Sequence, residues 1–174
     1  MDWIQTFTGR KFRPLDPKQE DFDIKDIAHA LSLLCRFNGH CLRFYSVAEH
    51  SVRVSRILPD ELKLWGLLHD AGEAYTTDLP RPVKGQIPQF RMIEDRVLEV
   101  ACQRFGLSWP MPPAVKEADN RLLATESRDL MAPHPDDWGL VDPPLPEKID
   151  PITIPAEAEI LFLSEFETLV KAHP

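Results

Sequence analysis

Cysteine is scarce in this sequence: Cys35, Cys41 and Cys102 are an odd number without paired spacing. That excludes a disulfide framework as the main staple and fits free thiols in a reducing compartment. Positive charge is scarce too. Twenty Lys and Arg stand against 28 Asp and Glu, for a net charge of -8. A protein that grips nucleic acid along its backbone usually carries the opposite balance, so no stable nucleic-acid partner is expected. A small phosphorylated ligand needs only one local basic pocket. No apolar run approaches the roughly 20 residues needed to span a bilayer. The opening Met1–Gln5 has neither a basic n-region nor an apolar h-region. The expectation is a soluble cytoplasmic protein without a membrane partner. Internal repeats are missing, as are the His-x-Glu and Pro-Cys-x-x-Cys elements of a zinc nucleotide deaminase.

What is present is an ordinary globular balance, 43% apolar and 28% charged over 174 residues. That length predicts one domain, residues 1–174, able to bury a core without staples. Helical spacing dominates. Residues 1–25 read as an irregular arm or short hairpin, broken by Gly9, Pro14 and Pro17. A first helix is predicted over about Ile24–Arg36, stopped by the turn signal Asn38-Gly39. A second runs over about Ser46–Leu58, with Ser46 as cap and Glu49 at the third position of a capping box. A third starts after Pro59, capped by Asp60, and reaches Ala74; its broad apolar face (Leu64, Leu67, Leu68, Ala71) suits a central helix. Thr76–Gln86 reads as loop. Further helices follow over about Gln89–Phe105, ended by Gly106, over Pro112–Met131 and over Ala156–Lys171. Seven of the 17 prolines crowd into 133–155, a long irregular connection that holds Trp138. The class is all-α, a helical bundle with a proline-rich loop before the last helix.

The chemistry concentrates at His69-Asp70, inside Leu67-Leu68-His69-Asp70-Ala71-Gly72-Glu73. On a continuous helix His69 and Glu73, four apart, share a face, with Asp70 beside them. Polar groups on an apolar segment are costly unless something satisfies them. His50 lies on the second helix's face with Val47 and Val54, and Asp119 on the fifth's with Val115, Leu122 and Leu123. Each has an ordinary explanation alone: a satisfied core histidine, a carboxylate paired with Arg. One metal ion explains His50, His69, Asp70 and Asp119 together, with Glu73 as a neighbouring acid or base. A mixed set of two His and two Asp is neither the oxygen cage of Ca²⁺ nor a thiolate zinc site; Co²⁺, Mn²⁺, Zn²⁺ or Ni²⁺ suits it.

The order His, then His-Asp, then Asp on successive helices resembles the HD-domain metal-dependent phosphohydrolases. The runs Ser46–Ser51, Leu68–Ala74 and Asp78–Lys84 resemble the YfbR-type deoxynucleotidases and the viral DatZ-type deoxyadenosine triphosphohydrolases. Cys35–His40 and Glu117–Leu122 extend the likeness over about residues 5–130. The resemblance implies an HD-domain bundle with His50, His69, Asp70 and Asp119 as metal ligands. It implies Glu73 as the residue that positions or activates the attacking water, and Asp78 as a contact to sugar or water. Arg36 and Lys84 are implied as phosphate contacts, Phe37 as a base or sugar platform, and His40 and Arg43 as neighbours in the same pocket. It further implies a homo-oligomer and, for a viral source, a host-cytoplasmic location.

The leading expectation is a nucleotide phosphohydrolase, with a deoxynucleoside triphosphate such as dATP yielding nucleoside and triphosphate. A second ion, Mg²⁺ riding on the substrate phosphates, is compatible with it. A deoxyribonucleoside 5'-monophosphate phosphatase stays open, as does a nucleotide sensor that binds without turnover, although a sensor has no need of Glu73. The Gly-Tyr-Pro signature of the related cyclic-dinucleotide phosphodiesterases is missing.

Overall fold

The computed structural model describes residues 1–134, 136 and 138–172. Pro135 and Asp137, inside the predicted proline-rich loop, lie outside the described residues. The arm is a hairpin: β1 (Ile4–Gln5) pairs antiparallel with β2 (Lys11–Phe12). Its turn closes through Gly9, at φ 83°, where a side chain would be strained. Thr8 pins the tip, donating from its amide (2.7 Å) and hydroxyl (2.9 Å) to buried Asp26. Phe12 then stacks on Tyr75 at 3.8 Å and meets Phe22 edge-on at 5.0 Å.

Helix α1 (Ile24–Leu33) starts on Asp23, whose side chain accepts from the Lys25 amide. It ends short of the predicted Arg36 because the chain turns extended to pair with the segment ahead of the next helix. Cys35 bridges Ser46, the Arg36 amide reaches the Tyr45 carbonyl, and the Val47 amide reaches that of Leu34. Between these strands of contact, Phe37, Asn38 and Gly39 all take positive φ (54°, 51° and 78°). The Asn-Gly turn signal marked the spot.

Helix α2 (Val47–Arg56) is capped by Ser46, whose hydroxyl accepts from the Glu49 amide at 3.1 Å. The capping box is not completed. The Glu49 carboxylate goes instead to Arg53 (2.7 and 2.9 Å) and to the Ile152 amide (2.8 Å). Helix α2 is the central one, packed against α1, α3 (Lys63–Leu68), α7 (Pro113–Leu130) and α8 (Pro155–Ala172). The third helix does not hold that place. It approaches α2 so closely that a Cβ on Gly66 would fall 2.8 Å from the Ser55 Cα.

The third helix is also not continuous. A 3-10 turn over Asp60–Leu62 precedes α3, and His69–Gly72 form a tight turn before α4 (Glu73–Thr76). The bonds Ala71 to Leu68, Glu73 to Asp70 and Tyr75 to Gly72 all span three residues, the spacing of a tightened turn. The predicted loop 76–86 contains a short helix, α5 (Arg81–Lys84). Helix α6 (Pro88–Phe105) ends on left-handed Gly106, as predicted. The core runs from Phe12 to Leu169, through Ile27, Leu31, Val52, Leu67, Leu122 and Phe162. The architecture is all-α with one small hairpin, and no helix among the described residues is long and apolar enough to cross a membrane.

The 131–154 strap has no regular element among its described residues. Its later part is tied down. Arg128 donates to the Leu145 and Glu147 carbonyls, Asp129 accepts from the Ile149 amide, and Glu49 from that of Ile152.

Candidate metal centre

Three elements bring His50, His69 and Asp119 together. His50 is inside α2, His69 caps the C-terminal end of α3, and Asp119 is in α7. All three are buried, and their ligand atoms lie within 4.8 Å of one another. The His50 Nε2 is 3.3 Å from the His69 Nε2 and 3.2 Å from the Asp119 Oδ1.

The other ring nitrogens fix which atoms face inward. The His50 Nδ1 is 2.6 Å from a Glu126 oxygen, so it carries hydrogen and donates to that carboxylate. The His69 Nδ1 likewise donates to the Gly66 carbonyl at 2.7 Å. Both Nε2 lone pairs then converge on each other and on a carboxylate. That arrangement calls for a cation: a proton or a metal ion.

Electrostatics carry the mark of this. Burial and nearby Arg36 oppose a charged His50, yet the Glu126 charge and the hydrogen bonds to Asp119 and Glu126 push it up to about 9. Burial pushes His69 the other way, down. Asp119 is held well below the usual carboxylate range despite its burial, by the hydrogen bond and charge of His50 and by His69 and Lys116.

The spacing fits an ion. Ligand atoms about 2.1 Å from one centre stand about 3.0–3.4 Å apart in octahedral or tetrahedral sets. Asp70 borders the three, its Oδ2 3.3 Å from the His69 Nε2 and 3.7 Å from the His50 Nε2. The trio His50, His69 and Asp119 could hold a metal ion, with Asp70 beside it on the cavity side.

Glu73, opening α4, is 7% exposed, and its Oε2 has no hydrogen-bond partner. Burial first, then the charges of Asp70 and Asp78, hold its carboxyl well above the usual range. Burial also raises Asp78, although Arg36 opposes this. Two cavities, about 470 and 550 Å³, meet here and share Asp70, Glu73, Arg81, Lys84, Lys116 and Asp119 as walls. Asp78, Arg36 and Phe37 line the larger one.

The two expected phosphate contacts line the larger cavity and also pair with carboxylates. Arg36 is 8% exposed and donates through Nε (3.2 Å) and Nη2 (2.9 Å) to Glu126, leaving Nη1 3.8 Å from Asp70. It is first an anchor for the carboxylate that orients His50. Lys84 pairs with Glu94 at 2.7 Å and stands 3.5 Å from Glu73. His40 and Arg43 line neither cavity; both are exposed, and Arg43 pairs with Asp150.

Sequence reading missed Glu126, fully buried and joined to both His50 and Arg36. Its signal was available: it follows Asp119 by seven residues, two turns along the same face of α7. Arg81 and Lys116 were also passed over. They hold the second oxygen of Asp119 at 3.1 and 2.6 Å, leaving the first oxygen for His50.

Fold and centre together define the class: an all-α bundle around a buried His-His-Asp group able to hold a metal ion. No family model matches the chain. It is 38% identical over 171 residues to the uncharacterized protein YfdR of Escherichia coli (strain K12), covering 97% of this chain and 96% of YfdR. It is also 36% identical over 126 residues to an uncharacterized protein of Rhodobacter capsulatus, covering 67% of this chain and 64% of that protein. The chain belongs to the family of YfdR.

Proposed function

We propose that the protein is a metal-dependent phosphohydrolase of deoxynucleotides, as its resemblance to HD-domain enzymes implies, with a deoxynucleoside triphosphate as the leading substrate. One observation carries the reading: the converging donors of His50, His69 and Asp119 stand beside an unpartnered Glu73 oxygen in a cation-lined cleft. The donor set suits Mn²⁺, Co²⁺, Zn²⁺ or Ni²⁺. A divalent ion supplies Lewis acidity toward a phosphoryl oxygen and toward water.

The residues do the rest. Asp70 completes the donor set from the cavity side. Glu73 takes a proton from the attacking water and returns it to the departing nucleoside oxygen. An oxygen–phosphorus bond forms and the bond from phosphorus to the 5'-oxygen breaks, so dATP and water give deoxyadenosine and triphosphate. Asp78 orients the water or the sugar. Lys84, Arg81 and Lys116 meet the phosphates, with Arg91 further along the smaller cavity. That reach of positive charge favours a triphosphate, and Mg²⁺ on the substrate would add to it.

The test is turnover of dATP and dAMP with each of the four metals, the products separated by chromatography. Triphosphate and deoxyadenosine from dATP are expected, with Glu73→Gln slowing turnover by roughly 10²–10⁴-fold. Turnover of dAMP alone moves the reading to a 5'-nucleotidase. No turnover of any nucleotide overturns it and leaves a binding protein.

A further inference from the structure

The larger cavity has two unlike ends. Toward the metal group its walls are charged: Arg36, Asp70, Glu73, Arg81, Lys84 and Asp119. Away from it they are apolar, with Phe37, Leu123, Trp138 and Leu140. Two observations single out the aromatic pair. Phe37 is held at φ 54°, a strained conformation for a bulky residue, and the turn keeps its ring at the cavity instead of in the core. Trp138 is 44% exposed, a large indole left half in the open, with its ring 5.8 Å from that of Phe37 at 70°. Arg36 stands over the Phe37 ring at 5.3 Å. The strap that carries Trp138 is fastened downstream through Leu145, Glu147 and Ile149, which limits how far the indole can move.

We propose that Trp138 completes a base-binding subsite by facing the ring platform that the resemblance implies at Phe37, and that Trp138 selects ligands carrying a planar heteroaromatic ring over phosphates without one. The proposal rests on the phosphohydrolase reading and gives the proline-rich strap a role: it delivers the indole to the cavity wall. A polyphosphate at the charged end and an aromatic ring at the other match the two ends of one nucleotide. Each base has a π-face, so stacking supports affinity without reading a particular base.

The experiment compares wild type, Trp138→Phe and Trp138→Ala, each confirmed folded by circular dichroism. It measures KM and kcat for dATP with Mn²⁺, and the affinity of inorganic tripolyphosphate by calorimetry. Trp138→Ala is expected to raise the KM for dATP by roughly 5- to 100-fold, the range that loss of one stacking contact produces. Its kcat should change far less, and tripolyphosphate affinity should stay within about twofold. Trp138→Phe restores most of the loss because an aromatic face remains. Addition of dATP should quench the wild-type tryptophan fluorescence, and tripolyphosphate should not. An unchanged KM in Trp138→Ala overturns the subsite while leaving the hydrolase reading intact. Equal loss of dATP and tripolyphosphate also overturns it, since the indole would then be supporting the cavity wall only. Failure of wild type to turn over any nucleotide overturns the hydrolase reading and the subsite with it.

Discussion

The two histidines of the centre are held in opposite ways. His50 lies in the middle of α2, with backbone bonded on both sides and its Nδ1 against a buried carboxylate, Glu126, itself gripped by Arg36. His69 ends α3 at a tightened turn, and its Nδ1 meets only the neutral Gly66 carbonyl. A charge-assisted hydrogen bond is shorter and about twice as strong as a neutral one. Here the distances are 2.6 and 2.7 Å, yet the two rings shift in opposite directions: burial lowers His69, while against its own burial His50 is raised by the Glu126 charge and the hydrogen bonds to Asp119 and Glu126. The basicity of one ring comes from a partner helix. The placement of the other comes from backbone, through a glycine that lets α3 touch α2.

This contrast can be broken from either side. The largest effect is expected from removing a ring: His50→Ala or His69→Ala should abolish metal binding measured by calorimetry. Detectable one-to-one binding in either variant would remove that residue from the centre. Next comes Glu126→Gln, which keeps the shape and loses the charge. Loss of a partner of this kind weakens metal affinity by roughly 10- to 100-fold, so Glu126→Gln should do so while leaving the helical circular dichroism in place. An unchanged affinity would make Glu126 a packing residue and erase the contrast. On the other side, Gly66→Ala places a methyl against the Ser55 backbone and should cost about 1–3 kcal/mol in denaturant unfolding. A neutral result would mean that α3 yields without disturbing α2. The smallest change in denaturant unfolding is expected from Arg81→Ala. Its pairing with Asp119 is half-exposed, and such pairs contribute less than about 1 kcal/mol.

The same contrast explains what was legible in the sequence. Local signals were readable where local chemistry decided the outcome: Ser46 as a cap, Asn38-Gly39 as a turn, Gly106 as a stop. The metal-capable residues were readable because His50 and Asp119 each interrupt an apolar stripe. The break at His69–Gly72 was not, since the apolar spacing of Leu64 to Ala71 continues through it. The second duty of Arg36 was hidden for a related reason. A basic residue after a helix looks available to phosphate until a buried acid 90 residues away takes two of its donors.

The central claim is that His50, His69 and Asp119 can hold one divalent ion. A crystal grown with Zn²⁺ and measured at the zinc absorption edge tests it most directly. The account predicts one anomalous peak per chain, about 2.0–2.2 Å from the His50 Nε2, the His69 Nε2 and an Asp119 oxygen. No peak at these atoms under saturating zinc, or a peak only at surface carboxylates, would contradict it.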